Sequence, residues 1–333
     1  MRSVLHTLRP ETYHGQRRPG PFFEGWYYKC VTADQRRALA LIPGIFRGPD
    51  PASTEAFIQV VDTERERIAY HRFPEAAFHG SAQHLDVAVG PNRFTDRGVV
   101  LELDDGTGRL SGSLHFPDPR PWPVTLLNPG IMGWYAWMPF MECYHGVVSL
   151  DHGIDGCLTV DGETIDFTGG RGYIEKDWGR SFPAAWVWLQ CNHFAAAGTS
   201  LTASLAIIPW IGRAFPGFIV GLWHDGHLHR FTTYSAGRIE TLELHDRPLR
   251  WTLRNRTHRL AIEMTPGRTI ALRAPAADGM TRHIDESLSA AVRIRLSRLS
   301  GETLLDEDGA VAGFEAVGDL DRLRAMWIRE KGT

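Results

Sequence analysis

The chain has 333 residues, 43% hydrophobic and 23% charged, with a net charge of −3. This composition excludes a disordered or collagen-like chain, and the near-balanced charge carries no footprint of nucleic-acid binding. The length predicts two domains.

The N-terminal stretch Met1–Pro10 has no apolar signal core, and no apolar run approaches the ~20 residues of a membrane span. The expectation is a cytoplasmic protein without a transmembrane segment, with peripheral membrane contact left open. From residue 22 onward the pattern is that of strands. Short runs rich in β-branched and aromatic residues occur at 25–31, 38–43, 56–62, 85–89, 98–104 and 109–116. They continue at 146–150, 156–160, 164–168, 202–208, 217–223, 228–234, 249–254, 259–264, 269–273 and 291–296. Asp104-Asp-Gly106, Asp161-Gly162, Asp225-Gly226 and Asp308-Gly309 read as turns between them. The segment 116–143 is rich in proline and aromatics and reads as a long ordered loop of the kind that covers a site. A second break at 179–185 predicts domains 1–180 and 181–333. Near the end, Asp319 can cap a helix whose Leu320, Leu323 and Trp327 recur at helical spacing.

Many short strands with frequent turns predict an all-β fold. Neither G-x-G-x-x-G nor a P-loop occurs, which leaves a nucleotide cradle unsupported. The four cysteines, Cys30, Cys143, Cys157 and Cys191, lack C-x-x-C spacing and read as buried reduced thiols. Histidines are scattered without H-E-x-x-H, and those around Asp225-Gly226 read as solvated, so no metal is expected. A G-x-S-x-G elbow is missing.

Three segments carry chemistry. In Pro21-Phe-Phe-Glu-Gly-Trp-Tyr-Tyr-Lys29, strand alternation points Glu24, Trp26 and Tyr28 one way and Tyr27 and Lys29 the other. In Gly172-Tyr-Ile-Glu-Lys-Asp-Trp-Gly-Arg-Ser-Phe-Pro183, Tyr173, Glu175 and Asp177 share one face, and Lys176 and Trp178 the other. Two neighbouring carboxylates beside aromatics would raise at least one pKa. Downstream, Gln190 and Asn192 share a face. The third segment, Met138-Pro-Phe-Met-Glu-Cys-Tyr-His145, sets Glu142 among methionines and aromatics. Of 36 basic residues only Lys29, Lys176 and Lys331 are lysine, which flags the first two as places where a guanidinium fork does not fit. Six of the eleven tryptophans, including Trp137, Trp178 and Trp188, fall between 122 and 188, as around an apolar ligand cavity. The same residue types also build plain buried ion-pair networks.

Phe22 to Lys29, Met138 to Glu142, and the string Glu175-Lys-Asp-Trp-Gly-Arg-Ser-Phe-Pro-Ala-Ala-Trp-Val-Trp-Leu-Gln-Cys-Asn192 resemble the tocopherol cyclase family. Ala274-Pro and Met280 to Leu288 look similar to its C-terminal part. The resemblance implies two lipocalin-like antiparallel β-barrels with the short C-terminal helix. It also implies cofactor-free ring closure on a prenylated hydroquinone, or the related hydration of an isoprenoid alkene. The plant enzymes have asparagine where this chain has Asp177. Both reactions begin by protonating a trisubstituted alkene. That step needs a protonated carboxylic acid, aromatic faces for the cation and a dry apolar cavity. The expected acid is Glu175, tuned by Asp177 and Lys176, with Glu24 as a further candidate. Trp26, Tyr28, Trp137, Glu142, Tyr173, Trp178, Trp188, Gln190 and Asn192 are the expected substrate-lining residues. The rival expectation is a non-catalytic carrier of a hydrophobic ligand.

Overall fold

The computed structural model describes residues 4–16, 18–244, 248–276 and 279–331. Met1–Ser3 and the Lys331 side chain lie outside the described residues. The chain divides into two compact units, Met1–Phe182 with Leu272–His283, and Pro183–Ala271 with Ile284–Thr333.

In the first unit a short helix, α1 (Val4–Thr7), precedes twelve strands. They are β1 (Phe22–Val31), β2 (Ala38–Arg47), β3 (Glu55–Asp62), β4 (Arg67–Phe73), β5 (Phe78–Gly80) and β6 (Asp86–Val89), then β7 (Asn92–Thr95), β8 (Gly98–Asp104), β9 (Arg109–His115), β10 (Cys143–Val160), β11 (Glu163–Asp166) and β12 (Gly170–Gly179). The sheet order is β4-β3-β2-β1-β12-β10-β9-β8-β7-β6-β5, with β11 on β10. The late strand β12 is thus inserted between β1 and β10, which sets all three chemistry-bearing segments side by side.

The second unit holds β13 (Ala185–Cys191), β14 (Ser200–Trp210), β15 (Arg213–His224), β16 (His227–Thr232), β17 (Arg238–Glu243) and β18 (Leu249–Arg254). Its sheet continues with β19 (His258–Thr265), β20 (Ile270–Ala274), β21 (Arg282–Arg298) and β22 (Thr303–Gly318), of which Leu272–Ala274 and Arg282–His283 are counted with the first unit, and the chain ends in α2 (Leu320–Lys331). Its order is β16-β15-β14-β13-β22-β21-β19-β18-β17, with β20 on β21. Alternate residues, among them Val187, Leu189, Val220, Ile262 and Ile294, bury one face as its core. The Asp319 carboxylate caps α2 by accepting from the Arg322 amide at 2.9 Å. The pairings among the described residues are antiparallel, as the resemblance implies for a lipocalin-like fold. Among the described residues no helix is long and apolar enough to cross a membrane.

Three local expectations are corrected. The runs at 146–150 and 156–160 are one strand, β10, carried through register shifts between Val147 and Ser149 and between Ser149 and His152. Asp308-Gly309 is no turn but lies inside β22. A Cβ on Gly309 would stand 2.7 Å from the Phe194 ring, so this glycine serves close packing. Only Cys30 and Cys191 are fully buried; Cys143 is half-buried, and Cys157 is exposed on the outward face of β10.

Candidate active site

The register of β12 decides what each motif residue meets. Glu24 lies opposite Trp178, Trp26 opposite Lys176, Tyr27 opposite Glu175 and Lys29 opposite Tyr173. On the other side, Tyr144 pairs with Trp178, His145 with Asp177 and Val147 with Glu175. Because side chains alternate along a strand, the three strands carry two separate polar clusters, one per face.

The first cluster is an ion pair with no exposure at all: the Lys176 ammonium stands 2.6 Å from the Glu24 carboxylate. The backbone N–H of His14 donates to both Glu24 oxygens, at 2.8 and 3.0 Å. Lys176 also donates to the carbonyls of Pro10 and Thr12, and to His14 Nδ1 at 2.7 Å. With Nδ1 accepting, His14 Nε2 carries the proton and donates to the His6 carbonyl at 3.0 Å. The His14 ring stacks on Trp178 at 4.5 Å, and the ammonium lies over Trp26 and Trp178 at 4.9 and 4.4 Å. Burial and the nearby Lys176 push the His14 pKa down to about 4. Burial works to raise the Glu24 pKa, but Lys176 and His14 outweigh it and hold it below the usual carboxylate value. Glu24 is therefore a fixed anion. This corrects two expectations: Glu24 cannot supply a proton, and Lys176 is engaged with Glu24 rather than tuning Glu175. The physical reason is strand alternation, which turns residue 176 away from 175 and 177.

The second cluster holds Tyr173, Glu175, Asp177 and His145. Glu175 is buried, and the Tyr173 hydroxyl donates to its Oε2 at 2.6 Å. His145 Nδ1 is 3.0 Å from Asp177 Oδ1, while its Nε2 faces Glu175 Oε2 at 3.7 Å. The ligand atoms of the three residues lie within 4.8 Å of one another. Phe23 and Tyr27 share this face of β1, and Lys29 is fully buried on it. An apolar wall continues from Phe23 through Phe46, Phe57 and Met280, with Phe182 against it. Gly44 makes room for this wall: a Cβ there would meet the Phe57 ring at 2.4 Å. The Gln59 side chain pins the returning segment by exchanging hydrogen bonds with the Arg273 backbone at 2.9 and 3.0 Å.

The remaining expected residues fall elsewhere. Trp26, Tyr28 and Trp178 lie on the Glu24 face, opposite Glu175. The buried Tyr28 ring packs near Phe94 and Phe116, at centroid distances of 5.6 and 6.2 Å. Trp137 braces the long loop by donating to the Leu126 carbonyl at 3.1 Å. Glu142 closes the strand end by accepting from the Ser181 hydroxyl at 2.6 Å. Trp188, Gln190 and Asn192 belong to the second unit, all buried, with Gln190 donating to Asn192 at 3.4 Å. The sequence reading passed over His145, although it stands in the segment chosen for Glu142, three residues on. It also missed the wall of Phe46, Phe57 and Met280.

Among the described residues, His145, Glu175 and Asp177 form the one group spaced to hold a metal ion. The two carboxyl groups face opposite nitrogens of one ring, Asp177 at Nδ1 and Glu175 at Nε2. Asp177 then occupies the position of a carboxylate that orients a histidine.

Residues 122–318, more than half of the chain, match the family model described as tocopherol cyclase-like. The chain belongs to the tocopherol cyclase-like family. It is 25% identical to "Tocopherol cyclase, chloroplastic" of Zea mays over 92% of its own length and 77% of that protein. Two solved structures share the fold. CghA with Sch210972 matches with a TM-score of 0.59 and 13% identity, over 90% of this chain and 89% of the other. Kievitone hydratase from Nectria haematococca matches with a TM-score of 0.50 and 12% identity, over 96% and 94%.

Proposed function

We propose that this protein is a cofactor-free cyclase or hydratase, an isomerase or lyase that protonates a trisubstituted alkene of a prenylated hydroquinone or related isoprenoid. Glu175 is the acid. The observation that carries this reading is a buried carboxyl with a second carboxylate and a histidine within 4.8 Å, on a face that continues into an aromatic wall. Burial and a like-charged neighbour both favour a neutral carboxyl. The Tyr173 hydroxyl fixes one of its oxygens. Phe23 and Tyr27 present ring faces to the resulting tertiary cation, which a phenol oxygen or water then captures. Kievitone hydratase is named for a hydration and the maize relative for a cyclisation; both reactions can share this first step.

The test is Glu175→Gln, which keeps size and most hydrogen bonding but removes the transferable proton. Turnover of a methylhydroquinone bearing a geranylgeranyl chain is expected to fall at least about 100-fold, with binding of a saturated-chain analogue unchanged. Undiminished turnover would remove Glu175 as the acid. A carrier would show binding but no turnover in either form.

The reading takes the cytoplasm as the compartment and a lipid phase as the substrate's source. Peripheral contact would run through Leu126 and Leu127, exposed at 67% and 81%. They tip a tight turn closed by mutual backbone hydrogen bonds of Thr125 and Asn128 at 3.0 and 3.2 Å. Burial of one leucine, worth about 1.5 kcal/mol at the low end, is enough for a roughly tenfold affinity. Leu126→Asp should reduce co-sedimentation with phosphatidylcholine vesicles by about that factor; equal co-sedimentation of both forms would refute the contact.

A further inference from the structure

Delivery of a proton to the alkene leaves Glu175 as a buried carboxylate near Asp177. Capture of the cation by a hydroxyl or water leaves a surplus proton on the new C–O oxygen. The cycle closes only if that proton reaches Glu175. Resting on the reading of Glu175 as the acid, we propose that His145 is the relay, taking the proton from the capturing oxygen and returning it to Glu175.

The geometry assigns each nitrogen a task. Asp177 Oδ1 is 3.0 Å from Nδ1, and a carboxylate can only accept, so Nδ1 carries the hydrogen in the resting state. Nε2 then holds the lone pair and faces Glu175 Oε2 at 3.7 Å. That separation lies just beyond hydrogen-bond range, so a small shift of either side chain completes the contact. Tyr173 is a second polar group placed on Glu175, and its hydroxyl already donates to Oε2 at 2.6 Å. A phenol is a far weaker acid than an imidazolium, so His145 is the better proton donor to the spent carboxylate.

The step balances without a co-reactant. The Glu175 O–H bond breaks, its proton forms a C–H bond with the alkene, and its electron pair stays on the carboxylate. The C–O bond forms with the hydroxyl oxygen, whose O–H pair remains on oxygen as the proton moves to His145 Nε2. The imidazolium, held by Asp177, then transfers the Nε2 proton to Glu175. Cyclisation leaves the proton count unchanged; hydration consumes one water.

The experiment compares Glu175→Gln, His145→Gln and His145→Gly with the wild type, using the geranylgeranylated methylhydroquinone for turnover and its saturated-chain analogue for binding. A relay predicts an at least 100-fold loss of steady-state turnover in His145→Gln with binding retained. It also predicts at least tenfold recovery of His145→Gly by millimolar imidazole, which a purely structural histidine would not show. In 15N-histidine-labelled wild-type protein, the His145 proton should reside on Nδ1. The relay is overturned by an Nε2–H resting tautomer. It is equally overturned by unchanged turnover in His145→Gln beside an inactive Glu175→Gln. Failure of imidazole to restore His145→Gly, or activity lost to EDTA and regained with Zn2+, would also sink it. Full activity of Glu175→Gln, or a wild type that turns over neither this substrate nor an acyclic isoprenoid alkene, instead refutes the underlying acid assignment.

Discussion

Glu24 and Glu175 lie on neighbouring strands, Glu175 opposite Tyr27 and Glu24 three positions along β1 from there. Both are buried, both sit among aromatic rings, and both have a histidine at hand. They differ in what else reaches them. Glu24 receives an ammonium at 2.6 Å and a backbone N–H on both oxygens. Glu175 receives a tyrosine hydroxyl at 2.6 Å, a histidine and a second carboxylate. One face of the sheet thus holds an ammonium–carboxylate pair, while the other sets two carboxyl groups about one imidazole. Aromatic surroundings are common to both, so they do not separate a structural acid from a chemical one; the polar groups placed on each carboxyl do.

The largest expected effect tests the structural side. Lys176→Met leaves Glu24 buried without its cation, and removing one partner of such a pair costs about 3–5 kcal/mol. Urea unfolding should show that loss, while Glu175→Gln, a nearly isosteric change at a carboxyl read as neutral, should stay within about 1 kcal/mol of the wild type. The double variant Glu24→Gln with Lys176→Met should regain most of the loss, because both charges are then gone. Equal destabilisation by Lys176→Met and Glu175→Gln would break the contrast.

Proton linkage on the Glu24 face comes next in size. His14 is held neutral with a pKa of about 4, against an ordinary value near 6.5. Between those values the unfolded chain binds a proton that the folded unit refuses, so stability falls as pH drops, by up to about 3 kcal/mol. His152, pushed down to about 3 by burial and then by Arg171, acts in the same direction. The Glu24 contribution is present above its unfolded pKa and is lost only as pH falls through its lower folded value. His14→Gln should flatten the stability profile between pH 6.5 and 4 by about one proton. An unchanged slope would show that His14 titrates normally.

Much of this was legible in the sequence, and the limits have physical causes. Period-two alternation alone separates Glu175 and Asp177 from Lys176 and Trp178. It does not reveal that β12 inserts between β1 and β10, because strand neighbours some 150 residues apart leave no local pattern. The sequence reading therefore combined Glu24 and Lys176 with Glu175 in one site, where the register divides them. His145 was hidden for a related reason. It belongs to an 18-residue strand whose middle is polar and bulged, so the run preceding 146 read as loop and Glu142 drew the attention. The apolar wall was missed because Phe46 and Phe57 look like ordinary core residues until the returning segment brings Met280 against them.

The smallest effect concerns Asp177, whose role on the Glu175 face is to orient and stabilise a histidine. The plant pattern that the motif resembles has asparagine at this position, so Asp177→Asn is a mild replacement. An asparagine oxygen still accepts from Nδ1–H, and the Glu175 proton on the far side of the ring favours the same tautomer. What disappears is the negative charge, and a neutral hydrogen bond is roughly half as strong as a charge-assisted one. Steady-state turnover should fall about fivefold, equivalent to about 1 kcal/mol of imidazolium stabilisation, with stability nearly unchanged. A loss beyond about 100-fold would mean that Asp177 moves a proton itself. No loss at all would mean that His145 never carries a positive charge in the cycle, and Asp177 would then have no part in the chemistry.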